Sequence, residues 1–215
     1  MIAHKTQNQL EHNEKYRHFS PLFAKIDNLL QKKEHAIIAI DGNSGAGKSS
    51  LAELLRSVYN CNIFRTDDFF LQNHQRTAER LDEPGGNVDY ERFVECVIKP
   101  LRENPSIPFS YQVYECKKQE LDRTVCVSPK PLSVIEGVYS LHPKFNDIYD
   151  IKVFLKVSEA EQSRRLKARN PAMYDNFINI WIPMESKYFS FFNVSKMCDI
   201  EFDTSAIPQT NMDRR

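Results

Sequence analysis

A glycine-rich loop that directly follows an apolar segment constrains the fold of this chain more than any other feature of its sequence. Residues 36–40 form a continuous apolar run rich in β-branched side chains, which predicts a strand buried on both faces, as in parallel sheets. The loop reads Gly-x-x-x-x-Gly-Lys-Ser over residues 42–49, and leucines at helical spacing follow it. The sequence therefore predicts a strand–loop–helix unit with the loop at the carboxyl end of the strand.

This loop has the full pattern of a phosphate-binding loop. Its glycines allow positive φ angles, so backbone N–H groups can turn toward an anion, and the helix that begins near Lys48 adds its positive dipole end. In this pattern Lys48 bridges the β- and γ-phosphates and the Ser49 hydroxyl holds Mg²⁺. We therefore expect a nucleotide to be bound by Gly42, Asn43, Ser44, Gly45, Ala46, Gly47, Lys48, Ser49 and Ser50.

Two acidic segments are expected at the same edge of the sheet as the loop. Asp67 and Asp68 follow a predicted strand at 61–66, and Glu136 closes a predicted strand at 132–135. A hydroxyl that attacks a γ-phosphate needs a carboxylate to orient it and accept its proton, and Asp67, the first out of its strand, is the better candidate for this role. Glu136 is expected to hold Mg²⁺, directly or through water. The alternatives are a helix N-cap for the aspartates and a solvated strand-end carboxylate for Glu136.

Basic side chains cluster on a predicted helix near the carboxyl end. Arg165 and Arg169 are four residues apart, so they share one helix face. On a lid, this pair could clamp the transferring phosphoryl group and neutralise its charge. A solvated basic helix face is the alternative.

The remaining pattern alternates strands with helices, which is typical of an open parallel α/β sheet. A further strand is expected at 151–157, and helices at 21–33, 89–101, 158–169 and 172–192, the last interrupted near Pro183. The predicted organisation is an N-terminal helical arm packed on the core (1–34), a kinase-type domain (35–205) and a flexible tail (206–215). Within the domain we expect a strand-pair insertion (107–128) and a lid (160–190).

Composition excludes several classes of protein. The 215 residues carry 29 Lys+Arg and 29 Asp+Glu, whereas a protein held to nucleic acid by phosphate neutralisation normally has a basic excess. No apolar run approaches the roughly 18–20 residues of a membrane span, and the polar amino end does not resemble a signal peptide. Five cysteines without metal-type spacing are typical of reduced, mostly buried thiols, so a cytoplasmic location is expected.

The order of these motifs resembles the uridine kinase family, a branch of the phosphate-loop kinases close to phosphoribulokinase and bacterial pantothenate kinase. The resemblance rests on the phosphate loop, on Asp-Asp-Phe-Phe at 67–70, Val-Asp-Tyr at 88–90, the segment 107–111, Val-Ile-Glu-Gly at 134–137 and the arginine helix. It implies a phosphate-loop NTPase fold of three α/β/α layers with a five-stranded parallel sheet and a β-hairpin forming one wall of the substrate cleft. It also implies ATP with Mg²⁺ as donor and a primary hydroxyl as acceptor.

The same resemblance assigns roles to single residues. Asp67 resembles the catalytic aspartate, Asp89 the carboxylate that holds ribose hydroxyls, and Tyr111 the hairpin aromatic that meets the base. Arg165 and Arg169 resemble lid arginines, and Glu136 the acid on the Mg²⁺ side. By resemblance the leading acceptor is a nucleoside, uridine or cytidine.

Departures from the family pattern keep other acceptors open. Phe70 stands where the family has a tyrosine in the pocket, and Cys116 or Lys117 where it has the pyrimidine-reading histidine. Arg76 in the loop after Asp67 could meet an anionic acceptor, or could lie on a solvated surface. The alternatives are a kinase of pantothenate, a ribosyl vitamin or a sugar phosphate, and a nucleotide-binding regulatory protein without an acceptor. The aromatic-rich segment 174–192 is typical of core or of a homo-oligomer surface.

Overall fold

A parallel sheet of five strands organises the molecule, and a computed structural model describes it for residues 14–207. The strands are β1 (Ala36–Gly42), β2 (Cys61–Arg65), β5 (Leu132–Glu136), β6 (Ile151–Lys156) and β7 (Ile200–Asp203). Their order across the sheet is β2-β5-β1-β6-β7, and every neighbouring pair is parallel. Because β1 is central, the loop at its carboxyl end lies at the middle of one sheet edge.

Alternate residues of β1 face two separate apolar cores. Ile38 and Ile40 belong to the core formed with α1 (Glu14–Leu30) and α2 (Lys48–Val58), whereas Ile37 and Ala39 belong to the core on the opposite face. All seven residues of β1 are buried, as the apolar run predicts. The chain therefore forms three layers with helices on both faces of the sheet.

Six further α-helices lie in the described chain, and three of them contribute Tyr90, Phe93, Leu101 and Tyr188 to the core on the second face of the sheet. The six helices are α3 (Ala78–Asp82), α4 (Tyr90–Phe93), α5 (Lys99–Glu103), α6 (Glu159–Arg169), α7 (Tyr174–Asn176) and α8 (Ile182–Phe192). Wider π-helical turns join α4 to α5 at Val94–Ile98 and α7 to α8 at Phe177–Trp181. A separate antiparallel hairpin of β3 (Phe109–Glu115) and β4 (Glu120–Val127) stands where the strand-pair insertion is expected. The predicted fold class is confirmed.

The first helix begins earlier than its sequence predicts. Pro21 was expected in the first turn, yet it lies inside α1, which already starts at Glu14. Proline cannot donate to the carbonyl four residues earlier, which belongs to Arg17. The Ser20 hydroxyl donates to that carbonyl instead (2.9 Å), so the helix continues. Residues 1–13 and most of the tail expected at 206–215 lie outside the described residues.

The helices can be compared with a membrane span, and the cysteines with the thiols that the sequence predicts. Within residues 14–207, no helix combines the length and the apolar character that a bilayer span requires. All five cysteines are free thiols, but only Cys61 is fully buried, while Cys116 and Cys126 are exposed. The expectation that the cysteines are mostly buried is therefore wrong.

Candidate active site

The loop after β1 adopts a conformation that only glycine accommodates at its first position. Gly42 has φ 139°, and a Cβ atom there would lie 2.0 Å from the carbonyl oxygen of Leu155 on the neighbouring strand. Gly45 and Gly47 also have positive φ angles, of 77° and 91°. The loop can therefore bend tightly at the strand end and enter α2 at Lys48.

Three side chains from outside the loop donate hydrogen bonds to its carbonyl groups and so hold the outer side of the loop. Gln162 Nε2 donates to the carbonyl of residue 44 (2.9 Å), Arg165 Nη1 to that of residue 45 (3.1 Å), and Thr204 Oγ1 to that of residue 46 (2.9 Å). These three side chains are all buried. Because consecutive carbonyls are held outward by α6 and by the residue after β7, the loop is fixed before any ligand binds.

The inner side of the loop offers backbone donors. Within residues 14–207, the N–H groups of Gly45, Gly47, Lys48 and Ser49 have no hydrogen-bond partner. The Lys48 ammonium is held at the mouth of the loop by the carbonyls of Gly42 (2.8 Å) and Asn43 (3.0 Å). Unpaired amides at the start of a helix, beside a fixed ammonium, are what a polyphosphate binds. Ser50 lies in the first turn of α2.

The two lid arginines occupy different surroundings. Arg165 was expected to clamp the transferring group, but its side chain is buried and its guanidinium donates to Glu161, to Gly45 and to the carbonyls of Thr204 and Ile207. A guanidinium with these partners holds the loop, and a role of Arg165 on the transferring group stays a prediction. Arg169 is exposed and close enough to Asp67 to lower the pKa of that carboxyl.

Asp67 lies near the phosphate loop and near the turn of the hairpin, since Lys48 acts on the pKa of Asp67 and Asp67 acts on that of Cys116. It sits in a 3₁₀ turn, Thr66–Phe69, directly after β2. The residue as a whole is exposed, although protein lies around its carboxylate, and no described residue hydrogen-bonds to that group. The surrounding protein raises its pKa by desolvation, while the charges of Lys48, Arg169 and Arg65 oppose that rise. A carboxylate with no partner, close to the lysine of the loop, is available to a substrate hydroxyl.

Glu136 lies on the other side of Lys48 and is buried. Desolvation and the nearby Asp67 carboxylate raise the pKa of Glu136 to about 7, while Lys48, Arg65 and the Ser49 hydroxyl act to lower it. Arg65 Nε is 3.3 Å from Glu136 Oε1. A carboxylate and a hydroxyl are hard oxygen ligands, which suit Mg²⁺.

No group of three or more His, Cys, Asp or Glu side chains in the described chain could hold a metal by itself. A Mg²⁺ ion at Ser49 and Glu136 would therefore take its other ligands from nucleotide and water, as this ion commonly does.

Asp89, expected to hold ribose hydroxyls, is already enclosed by protein. It caps α4, and its Oδ1 accepts the backbone N–H of Arg92 (3.0 Å). Its Oδ2 accepts Gln75 Nε2 (3.0 Å) and lies 3.4 Å from Arg92 Nε. Only 2% of Asp89 is exposed, so a ribose could reach this carboxylate only if Gln75 moved.

Three further residues expected near the acceptor have different surroundings. Tyr111 is buried, its ring lies 5.2 Å from that of Phe69, and its hydroxyl donates to Asp68 Oδ2 (3.3 Å). Phe70 is half-buried and packs against the core. Arg76 is exposed, donates to the carbonyl of Leu71 (3.0 Å) and reaches the hydroxyl of Tyr114 (3.5 Å).

Two polar groups in the site were not anticipated from sequence. Glu185 of α8 accepts hydrogen bonds from the backbone and hydroxyl of Ser44. Asp41, fully buried at the end of β1, accepts from Leu141 N (3.0 Å) and from the Tyr188 hydroxyl (2.9 Å), and burial raises its pKa to about 6. The one available signal was the unusual segment 181–189, which places a glutamate and a tyrosine three residues apart on one helix face.

Comparison with known proteins places this site within a kinase family. Residues 37–169 match the family model described as phosphoribulokinase/uridine kinase family. Uridine-cytidine kinase C of Dictyostelium discoideum is 25% identical over 130 residues, which is 60% of this chain and 29% of that protein. The chain therefore spans less than a third of the length of that curated relative.

Two solved structures share the fold. One is described as a possible uridine kinase from Bacillus stearothermophilus, with a TM-score of 0.60 and 20% identity over 85% of this chain and 100% of that one. The other is D-glycerate 3-kinase from Cryptococcus neoformans var. grubii, with a TM-score of 0.53 and 14% identity over 77% of this chain and 84% of that one. At these identities the likeness concerns the fold.

Proposed function

Because the chain belongs to the phosphoribulokinase/uridine kinase family, we propose that it transfers the γ-phosphoryl group of MgATP to a hydroxyl of a small molecule. One observation carries the proposal. Backbone amides of the loop are unpaired, and the Asp67 carboxylate, which no described residue hydrogen-bonds, lies close enough to the Lys48 ammonium for that charge to act on its pKa.

In this mechanism the residues act mainly by position and charge. Asp67 accepts the proton of the acceptor hydroxyl as its oxygen forms a bond to the γ-phosphorus, and the bond between that phosphorus and the β–γ bridging oxygen breaks to release ADP. Lys48 and the exposed Arg169 stabilise the charge on the transferring group. Ser49 and Glu136 would hold Mg²⁺, which supplies further charge neutralisation when bound.

For the acceptor, we propose a nucleoside such as uridine or cytidine as the first candidate. Its support is the resemblance of the motifs and the relative named uridine-cytidine kinase C. The enclosed Asp89 carboxylate favours a second candidate, because a nucleoside would have to displace Gln75 to use it. That candidate is an anionic hydroxy compound, met by the exposed guanidinium of Arg76.

Acceptor-dependent release of ADP tests the function. Uridine, cytidine, pantothenate, glycerate and sugar phosphates are offered in turn with MgATP, and ADP is measured by a coupled assay. We expect one acceptor class to stimulate ADP release at least tenfold, and Lys48→Ala to abolish the stimulation. MgATP binding with no stimulation by any acceptor would favour a regulatory nucleotide-binding protein.

A further inference from the structure

Glu185 accepts hydrogen bonds from two donors of a single residue in the phosphate loop. Its Oε2 accepts the backbone N–H of Ser44 (3.0 Å), and its Oε1 accepts the Ser44 hydroxyl. Only 4% of Glu185 is exposed. Its partners are thus two donors that belong to the phosphate loop itself.

This contact differs from the contacts that hold the loop from α6 and from the residue after β7. Gln162, Arg165 and Thr204 hold carbonyl groups, and the N–H groups of Gly45, Gly47, Lys48 and Ser49 have no partner among residues 14–207. Glu185 instead presents an anion to an N–H group and a hydroxyl. A carboxylate in this position makes the kind of contact that a phosphate oxygen would make.

The surroundings of Glu185 place it toward the end of the site where phosphoryl transfer would occur. Burial raises its pKa, the Lys48 ammonium acts to lower it, and the Asp67 carboxylate acts to raise it. Glu185 therefore lies within electrostatic reach of both the loop lysine and the proposed base. Ser44 also precedes the unpaired amides at the head of α2, which would take the inner phosphates.

We propose that Glu185 competes with the γ-phosphate of ATP for the Ser44 end of the loop, so that this residue makes the protein discriminate between triphosphate and diphosphate. The inference rests on the proposed function, since it requires a nucleoside triphosphate in the loop. ATP must displace the carboxylate or bring a like charge against it, whereas ADP leaves the Ser44 contact intact.

The consequence concerns the order of events in a catalytic cycle. While ATP is bound, Glu185 is held away from Ser44 by repulsion between two anions in a partly dehydrated site. Once the γ-phosphoryl group has left, Glu185 can return to Ser44. The helix α8 itself is anchored by the hydrogen bond from the Tyr188 hydroxyl to Asp41, so we expect the side chain of Glu185 to move and the helix to stay in place.

Nucleotide affinities of charge-neutral variants test this inference. The variants Glu185→Gln and Glu185→Ala are titrated with Mg²⁺ and the β,γ-imido analogue of ATP, and separately with MgADP, by calorimetry. We expect both variants to bind the triphosphate analogue about tenfold more tightly, the factor that loss of one charge-assisted contact provides. We expect ADP affinity to change by less than about twofold.

The matched control is Glu159→Gln, which removes the same charge from an exposed residue at the start of α6 and should leave both affinities unchanged. The Glu185→Gln variant keeps the shape of the side chain, and its thermal melting curve shows whether the titrated variant is folded like the unmodified protein. Equal tightening for both nucleotides, or weaker binding of the triphosphate analogue, would overturn the inference while leaving the kinase proposal in place. Failure of the unmodified protein to bind any triphosphate would instead overturn the proposed function and this inference with it.

Discussion

The proposed nucleotide side and the proposed acceptor side of the site differ in how many of their polar groups are free to bind a ligand. On the nucleotide side, side chains from α6 and from the end of β7 hold the loop carbonyls, so the amides remain available. On the acceptor side, the polar groups bond to one another: Asp89 to Gln75 and Arg92, and Tyr111 to Asp68. Under the proposed function, the donor side is therefore ready for a ligand, whereas an acceptor that used these polar groups would have to exchange their contacts.

The way each side is assembled explains the difference. The loop is one continuous segment between a buried strand and a helix, so its conformation follows from adjacent residues. The acceptor side combines the turn Asn73–Gln75, the start of α4 and the hairpin. α8 contacts the loop through Glu185 on Ser44, and it contacts α3 through Lys187, whose ammonium donates to Asp82.

The largest effect is expected from removing the ammonium on the nucleotide side. Lys48→Ala should lower kcat/KM by about 10⁴-fold, because the charge acts on the phosphates in the ground state and more strongly in the transition state. Steady-state kinetics with the identified acceptor measures this. Lys32→Ala, an exposed lysine after α1, is the control and should retain full activity. A loss below tenfold for Lys48→Ala would contradict a prearranged donor site.

The next effect separates the two neighbouring aspartates. Asp67→Asn should lower kcat about 10³-fold with the Kd of MgATP nearly unchanged, since the amide keeps the size of the side chain but cannot accept the proton. Asp68→Asn should lower kcat less than about fivefold, because Asp68 already accepts from Tyr111. Equal losses for the two variants would contradict the assignment of the base.

The pH dependence of the unmodified protein sharpens the same assignment. Desolvation raises the pKa of Asp67, and the base must be ionised to accept a proton. The rate should therefore rise with pH through an inflection above the ordinary aspartate range of about 4, and Asp67→Asn should lack that inflection. A profile of kcat/KM for both proteins measures this.

The sequence predicts the nucleotide side well because its determinants are local. The apolar run, the glycines and the lysine fall within fifteen residues, and the predicted strand, loop and helix are all present. The positions of Asp67 and Glu136 at the carboxyl ends of their strands follow from the same parallel sheet. Their roles stay predictions until variants are measured.

Distant contacts explain what the sequence could not predict. Glu185 meets Ser44 across 141 positions of chain, and no periodicity in α8 indicates such a partner. Arg165 and Arg169 share the spacing of one helix face, yet only Arg165 finds Glu161 and the carbonyls after β7 within reach. Strand β7, four residues long with exposed polar side chains, was implied by the family resemblance and not by its own pattern.

A smaller effect tests whether the side-chain hydrogen bonds to the carbonyl groups of the loop matter for nucleotide binding. Thr204→Val keeps the shape of the side chain but leaves the carbonyl of Ala46 without its donor. This should destabilise the protein by about 1–3 kcal/mol and weaken MgATP binding severalfold, as read from denaturant unfolding and calorimetry. Thr124→Val on the exposed side of β4 is the matched control. Unchanged ATP affinity in Thr204→Val would show that the loop holds its shape without this contact.

The smallest expected effect lies on the acceptor side and decides between the two candidate acceptors. Arg76→Ala should raise KM about fivefold for an anionic acceptor, with kcat unchanged, because one exposed ion pair contributes no more than about 1 kcal/mol. For a nucleoside the same variant should leave KM unchanged, since a neutral acceptor forms no ion pair with Arg76. Arg56→Ala, on the exposed end of α2, controls for loss of a surface charge. If the accepted substrate is neutral and Gln75→Ala lowers its KM, the enclosed Asp89 is being opened to a ribose, and the nucleoside candidate is favoured.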